Sequence, residues 1–155
     1  MRVNSRFTVA VHTLALLAAN QDELLSSKYI SGSVNTNPVV IRRILSTLSK
    51  AGLVKTHLGV DGGARLGRPA QDITLLEVYQ VIGHGELFAL HHNQPSPDCP
   101  CGRTIQPILT NIFREAQKAM EAILAQTTIA HIVREMETEL GSLYAELAWP
   151  EVVDM

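Results

Sequence analysis

The chain has 155 residues, of which 46% are hydrophobic and only 5% aromatic, and its formal net charge is −2. This length fits one domain with an accessory element better than two full domains, and few aromatics beside many aliphatics favour helices packed on helices. His12 and Thr13 interrupt the first apolar segment in a helical rhythm, so we expect neither a signal peptide nor a membrane span.

Charge is divided unevenly along the chain. Residues 1–70 carry nine Lys or Arg and three acids, a net of +6, whereas residues 71–155 carry four and twelve, a net of −8. A basic half predicts a polyanion as its partner, and an accidental surface imbalance is the alternative. The two cysteines, Cys99 and Cys101, are too few for the disulfide framework of an exported protein, so we expect a cytoplasmic location.

Two helices are predicted at the start of the chain. Apolar residues recur at helical spacing from Phe7 to Ala18, Asn4 or Ser5 can cap this helix, and the polar residues 20–23 end it. A shorter helix follows, for which Ser26 or Ser27 is the candidate cap. Its inner side carries Leu25, Ile30 and Val34.

The most informative segment is VNTNPVVIRRILSTLSKAGLV, residues 34–54. Asn37 followed by Pro38 predicts a helix start, because the side chain caps free amides and proline at the first helical position loses no hydrogen bond. Gly52 predicts its end. The apolar stripe consists of Ile41, Ile44, Leu45 and Leu48. The opposite face contains no acid and carries Val39, Arg42, Arg43, Ser46, Thr47 and Lys50. Two short helices before such a third one predict a helix-turn-helix that enters a major groove. The alternative is the solvated face of an ordinary bundle helix, which would more often mix Glu with Lys.

The next stretch, HLGVDGGARLG at residues 57–67, contains four glycines. Residues 53–58 are expected to form a strand that pairs with residues 64–66, and the glycines at 59, 62 and 63 permit positive backbone dihedrals in a thin turn. Such a hairpin after a recognition helix is a wing, and we expect Arg65, with Lys55 at its base, to reach a phosphate or the edge of the minor groove. A loop that holds nucleotide phosphates is the alternative, but the glycine spacing matches neither the dinucleotide fingerprint nor the P-loop.

Four features occur together in this chain: the opening amphipathic helix, the segment ending SKAGLV, the wing pattern G-x-x-G-G-A-R-L and the following DITLLEVYQVIG. On these features the chain resembles the Rrf2 family of bacterial winged-helix transcriptional regulators, and the resemblance covers nearly the whole chain. It implies a loop and a long dimerisation helix after the wing. It also implies that Ser27 and Lys28 lie near the DNA backbone, that Arg65 lies at the wing, and that the groove is contacted by Asn37, Pro38, Val39, Arg42 and Arg43.

The second half is predicted to contain a loop between helices. Thr74 and Glu77 form a capping-box pattern for a helix that ends near Ile82, and the following GHGELFALHHNQPSPDCPCGR loses periodicity. A helix of some twenty residues is then expected from about Thr104. Its apolar side consists of Ile105, Ile108, Leu109, Ile112, Ala116, Ala119, Met120, Ile123 and Leu124. We favour a two-fold dimer held by this stripe over a purely intramolecular bundle, and we expect a last helix from a Thr127/Thr128 cap to Gly141.

The metal chemistry open to the cysteine loop is limited by the residues that could act as metal ligands. Members of the family that bind an iron–sulfur cluster use three cysteines here, so Cys99 and Cys101 cannot provide that set within one subunit. Zinc bound by these cysteines with His91 and His92 is an alternative, although the C-x-C spacing is unlike the usual knuckle. Packing of the loop by Cys99 is another alternative. We predict no metal and no cofactor, and we consider both cysteines candidate regulatory thiols.

We therefore expect a mainly α fold with a small β-hairpin, a winged helix-turn-helix plus a long dimerisation helix. The predicted divisions are a DNA-binding domain at 1–83, the cysteine loop at 84–103, and the dimerisation and C-terminal helices at 104–155. The predicted function is a transcriptional repressor that binds double-stranded DNA as a homodimer on a pseudo-palindromic operator. We expect it to respond to an oxidant or a small molecule and not to bind a membrane. The alternative is a small enzyme or interaction module on a winged-helix scaffold; no convincing set of nucleophile, base and orienter supports an enzyme.

Overall fold

A computed structural model describes residues 5–83 and 85–146 of the chain, with side chains through residue 141. In chain order the elements are α1 (Ser5–Ala19), α2 (Ser27–Val34), α3 (Pro38–Lys50), β1 (Val54–His57), β2 (Gly63–Leu66), a 3-10 turn (Ala70–Asp72), α4 (Leu75–Ile82), α5 (Pro100–Gln126) and α6 (Ile129–Glu146). The expected fold class, helices with one hairpin, is confirmed. None of the helices in the described residues is both long enough and apolar enough to cross a bilayer.

The core lies where α1 to α4 and the start of α6 meet. Its fully buried members come from every one of these elements and include Leu14, Leu17, Ile30, Ile41, Ile44, Leu48, Val78 and Ile129. The helix-turn-helix is therefore part of one hydrophobic cluster with the helices around it. Ser26, one of the two predicted caps of α2, accepts a hydrogen bond from the Tyr29 amide. Asn4, one of the two predicted caps of α1, lies outside the described residues.

The third helix forms as its sequence predicts. The Asn37 side chain accepts from the Val39 amide at 2.8 Å, Pro38 occupies the first turn, and the four residues of the apolar stripe are buried. Gly52 follows the helix with a φ of 78°, and the Leu53 amide donates to the Leu48 carbonyl. This glycine turn ends α3 and leads the chain into β1.

The hairpin is attached to the helical body through its second strand. Leu25 and Ala64 exchange two backbone hydrogen bonds, at 3.0 and 2.9 Å, in an isolated antiparallel bridge. The prediction of positive dihedrals holds for Gly59, with a φ of 112°, but is wrong for Gly62 and Gly63. A Cβ at residue 63 would lie 2.8 Å from the Leu25 carbonyl oxygen, so the close approach of these two backbones requires the glycine.

The start of α4 is joined to the start of α6. Leu75 donates its amide hydrogen to the Thr127 carbonyl at 2.8 Å, and Ile129 donates to the Ile73 carbonyl at 2.9 Å. Thr74 caps α4 by accepting from the Glu77 amide. The Glu77 carboxylate binds Arg68, so the capping-box pattern contributes a cap at Thr74 and an ion pair at Glu77.

The long helix starts earlier than its periodicity predicts. α5 has 27 residues and begins at Pro100, with Cys99 as the cap residue; Cys101 therefore lies in its first turn rather than in the loop. Proline at the first helical position explains this start, because it loses no hydrogen bond there. The last helix begins after Thr128, whose hydroxyl accepts from the His131 amide, and a kink at Gly141 marks the predicted end, beyond which α6 continues.

The apolar side of α5 is divided into two flanks. One flank is half-buried and consists of Ile105, Leu109, Ala116, Met120 and Leu124. The other flank is exposed, with Ile108, Ile112 and Ile123 exposed by 53, 55 and 67% and Ala119 between them. We call the four residues Ile108, Ile112, Ala119 and Ile123 the exposed stripe of α5.

Candidate nucleic-acid interface

The outward face of α3 presents most of the predicted contact residues together. Val39, Arg42, Arg43, Ser46 and Lys50 are exposed and Thr47 is half-buried, while the apolar stripe on the opposite side is buried. The Thr47 hydroxyl donates to the Arg43 carbonyl at 3.1 Å, which leaves its lone pairs for an incoming donor. The face therefore offers cations and hydroxyls to a ligand and is held rigidly by the core behind it.

The start of α2 adds a second group of predicted contacts. Ser27 is half-buried and Lys28 is exposed, and both lie in the first turn of the helix. Free amides and a partial positive charge at such a helix start favour an anion. Asn37 is exposed as well, but its Oδ1 is used by the cap of α3, so only its amide nitrogen remains to donate to a ligand.

The hairpin places two cations side by side. Lys55 pairs with Arg65 across the two strands, with His57 opposite Gly63 and Thr56 opposite Ala64. Because successive side chains alternate between the faces of a strand, Lys55, His57 and Arg65 share the outer face, where all three are exposed. Like charges directly opposite each other destabilise a hairpin, so this arrangement favours an anion between them.

A groove of about 580 Å³ separates α3 from the hairpin. Among the predicted contacts it brings together Ser27, Arg42 and Lys50, and the hairpin side is formed by residues 56–60 with Gly62 and Gly63. Lys28, Arg43 and Arg65 lie outside its lining. The candidate interface therefore extends over α2, α3 and the hairpin, with the groove between α3 and the hairpin.

Within the described residues, the cations of this surface have no acidic partners. Among the residues that the structure describes, ion pairs are formed by Arg68, Lys118 and His131. None is formed by the exposed cations of α3 and the hairpin, namely Arg42, Arg43, Lys50, Lys55 and Arg65. Arg68 belongs to the basic half of the sequence but is neutralised by Glu77, so it is not part of this surface.

Sequence reasoning missed three residues at the end of the hairpin. His57, Leu58 and Val60 line the groove, and the two aliphatic side chains are exposed by 99 and 104%. Their signal in the sequence is an apolar pair within a glycine-rich turn, which has no core to join.

Of the other histidines that the structure describes, His12 is hydrogen-bonded to Ser33 at 3.0 Å, and desolvation lowers its pKa.

The cysteine region does not form a metal site in the described residues. Cys99 and Cys101 are both exposed free thiols, and no three His, Cys, Asp or Glu side chains of residues 5–83 and 85–141 gather closely enough to hold an ion. His91 and His92 stack on each other with ring centroids 4.6 Å apart, and His91 Nδ1 accepts from the Asn93 amide. The residues present thus do not fit a three-cysteine cluster.

Comparisons with known proteins agree with this geometry. The model of the Rrf2 family, described as iron-dependent transcriptional regulators, matches residues 3–135. YwnA of Bacillus subtilis, named as an HTH-type transcriptional regulator, is 44% identical over 135 residues, which cover 86% of this chain and 98% of YwnA. The iron in the family description has no matching set of ligands among the described residues of this chain.

Solved structures show the same architecture. A crystal structure described as a DNA-binding protein is 40% identical, with a TM-score of 0.65 over 82% of this chain and 97% of that one. IscR of T. potens, at 21% identity and a TM-score of 0.71 over 93 and 96% of the two chains, shares the fold. The chain belongs to the Rrf2 family of winged-helix transcriptional regulators.

Proposed function

We propose that the chain is a transcriptional repressor that binds a pseudo-palindromic DNA operator in the cytoplasm as a homodimer. One observation carries this proposal: the exposed cations of α3 and the hairpin lie on one surface and none forms an ion pair within the described residues. Phosphate is the anion that such a surface meets on duplex DNA, and a helix with cations and hydroxyls can also read base edges. A small enzyme or interaction module has no comparable observation in its favour.

The homodimer is supported by the exposed stripe of α5. Residues 108, 112, 119 and 123 are spaced by four, seven and four, which places them on one side of a straight helix. Large aliphatic side chains exposed in a row along a helix are typical of an interface with another helix. A two-fold copy of the same stripe would cover it and would place two copies of α3 for two half-sites of an operator.

DNA binding is tested by its salt dependence and by Arg65→Ala. A 40-base-pair duplex, selected by the purified protein from random-sequence DNA, serves as the operator, and affinity is measured over a series of salt concentrations. We expect Arg65→Ala to bind more weakly and to reduce the salt slope by about one, because it removes one phosphate contact. Its melting temperature should stay level or rise, because the substitution removes a like-charge pair from the hairpin.

Arg134→Ala is the matched control, since Arg134 is an exposed cation of α6 in the acidic half of the chain. It should bind like the unmodified protein. If the unmodified protein selects no duplex and shows no affinity at low salt, the proposed function is wrong. If Arg65→Ala keeps the parental salt slope, the outer face of the hairpin does not contact phosphate.

We further propose thiol-based sensing by Cys99 and Cys101. Both thiols are exposed and lie where the loop enters α5; in the sequence they stand between the DNA-binding elements and the exposed stripe. The Cys99 amide donates to the Ser96 carbonyl and the Cys99 carbonyl accepts from the Arg103 amide. A modified side chain at this cap position would therefore disturb both the loop and the first turn of the helix.

Oxidation tests this sensor. Hydrogen peroxide transfers one oxygen to a thiolate, giving a sulfenic acid and hydroxide. We expect this treatment to change operator binding several-fold in the unmodified protein, through altered packing at the start of α5. The Cys99→Ser and Cys101→Ser variants identify which thiol responds. Equal binding before and after treatment in all three proteins would leave the cysteines without a regulatory role.

A further inference from the structure

Two apolar side chains at the end of the hairpin are completely exposed. Leu58 and Val60 have relative exposures of 99 and 104%, the highest among the exposed large hydrophobics of the described residues. Neither side chain contributes to the core, and Gly59 between them allows a sharp turn through its φ of 112°. Solvent exposure of both side chains costs free energy unless another molecule covers them.

The position of this pair specifies the kind of molecule. Leu58 and Val60 line the same groove as Arg42 and Lys50 of α3, and the strand that leads to them carries Lys55 and His57 on its exposed outer face. The apolar pair is therefore continuous with the cationic surface. A hairpin end that projects beyond a helix in the major groove reaches the neighbouring minor groove, which is about 6 Å wide.

We propose that Leu58 and Val60 form an apolar reader of the minor groove that selects A·T over G·C base pairs beside each half-site. This inference rests on the proposed DNA-binding function and adds a source of sequence specificity to it. Both kinds of base pair present acceptors on the groove floor, and the 2-amino group of guanine is the difference. An aliphatic side chain gives that amino group no acceptor, so its burial costs an unsatisfied donor.

Asp61 is the acid at this end of the hairpin, and it is exposed. Phosphates repel its carboxylate wherever it lies near the groove, whichever base pairs are present. Asp61→Asn should therefore raise the affinity for A·T and G·C sites by the same factor. This variant separates a change in charge at the turn from a change in its apolar contacts.

The test uses inosine. The duplex selected from random-sequence DNA is footprinted to find the minor-groove positions that the protein protects, and its A·T pairs there are replaced by G·C or by inosine·C. Inosine presents the major-groove edge of guanine but lacks the 2-amino group. We expect the G·C duplex to bind roughly tenfold more weakly and the inosine·C duplex to bind like the A·T one. The double variant Leu58→Ala/Val60→Ala should bind the G·C and A·T duplexes with equal affinity.

Each outcome has a definite meaning. The double alanine variant should keep the parental melting temperature and oligomeric state, because both side chains are exposed. A changed oligomeric state would show that Leu58 and Val60 contact protein, and it would overturn the inference. Equal affinity of the unmodified protein for the three duplexes would overturn it as well, while leaving DNA binding intact. If no duplex is selected at all, the proposed function fails and this inference fails with it.

Discussion

Ile112→Asp is expected to convert the proposed dimer to a monomer. Ile112 lies within the exposed stripe of α5 and is 55% exposed in the single chain, so the substitution should leave the fold intact. In a dimer held by this stripe, each copy would bury an unpaired carboxylate, which is strongly unfavourable. Light scattering after gel filtration measures the mass, and the affinity for the selected duplex should fall by about 100-fold or more, since two linked half-sites are reduced to one.

Leu90→Asp is the control for this variant. Leu90 is an aliphatic residue of the loop before α5 and is 40% exposed, so the same chemical change is made outside the exposed stripe. It should remain a dimer and keep its DNA affinity. A dimeric Ile112→Asp protein would refute the assignment of the exposed stripe as the dimer interface, whatever its affinity for DNA.

The second large effect is expected at the recognition helix. Arg42→Ala and Arg43→Ala should each weaken binding to the selected duplex by about 1 to 3 kcal/mol if the side chain reads a base. If it contacts phosphate instead, the salt slope should fall by about one and the loss should be the same on unrelated sequences. Both guanidinium groups are exposed, so the thermal stability should be unchanged.

The salt series therefore assigns a role to each arginine separately. Arg42 lines the groove beside the hairpin, whereas Arg43 does not, so the two need not act alike. Arg134→Ala again provides the control for the loss of a cation distant from this surface. Parental affinity and salt slope in both variants would show that the outward face of α3 is not the DNA-reading surface.

Local rules were sufficient to predict the elements that form the interface. Asn37 and Pro38 specify the start of α3, the buried stripe specifies its orientation, and Gly52 specifies its end. The hairpin followed from a short, partly β-branched segment before a glycine-rich turn. In each case the information lies within a few residues, because caps and turns are short-range structures.

Features that depend on distant contacts were not predictable in this way. The glycine at 63 is required by the backbone of Leu25, and Arg68 is removed from the cationic surface by Glu77. Periodicity alone also could not divide the apolar side of α5 into a half-buried flank and the exposed stripe. These features arise only when the chain brings separate segments together, which sequence spacing does not record.

The backbone connection between the starts of α4 and α6 anchors the chain at the end of α5. Hydrogen bonds from Leu75 to Thr127 and from Ile129 to Ile73 fix the chain immediately after the last turn of α5, whereas the first turn begins at Pro100, directly after Cys99. A helix of 27 residues is about 40 Å long, so a tilt of about 5° around the fixed end moves the other end by about 3.5 Å. A small angular change at the clamped end thus corresponds to a displacement of several ångströms at the thiols.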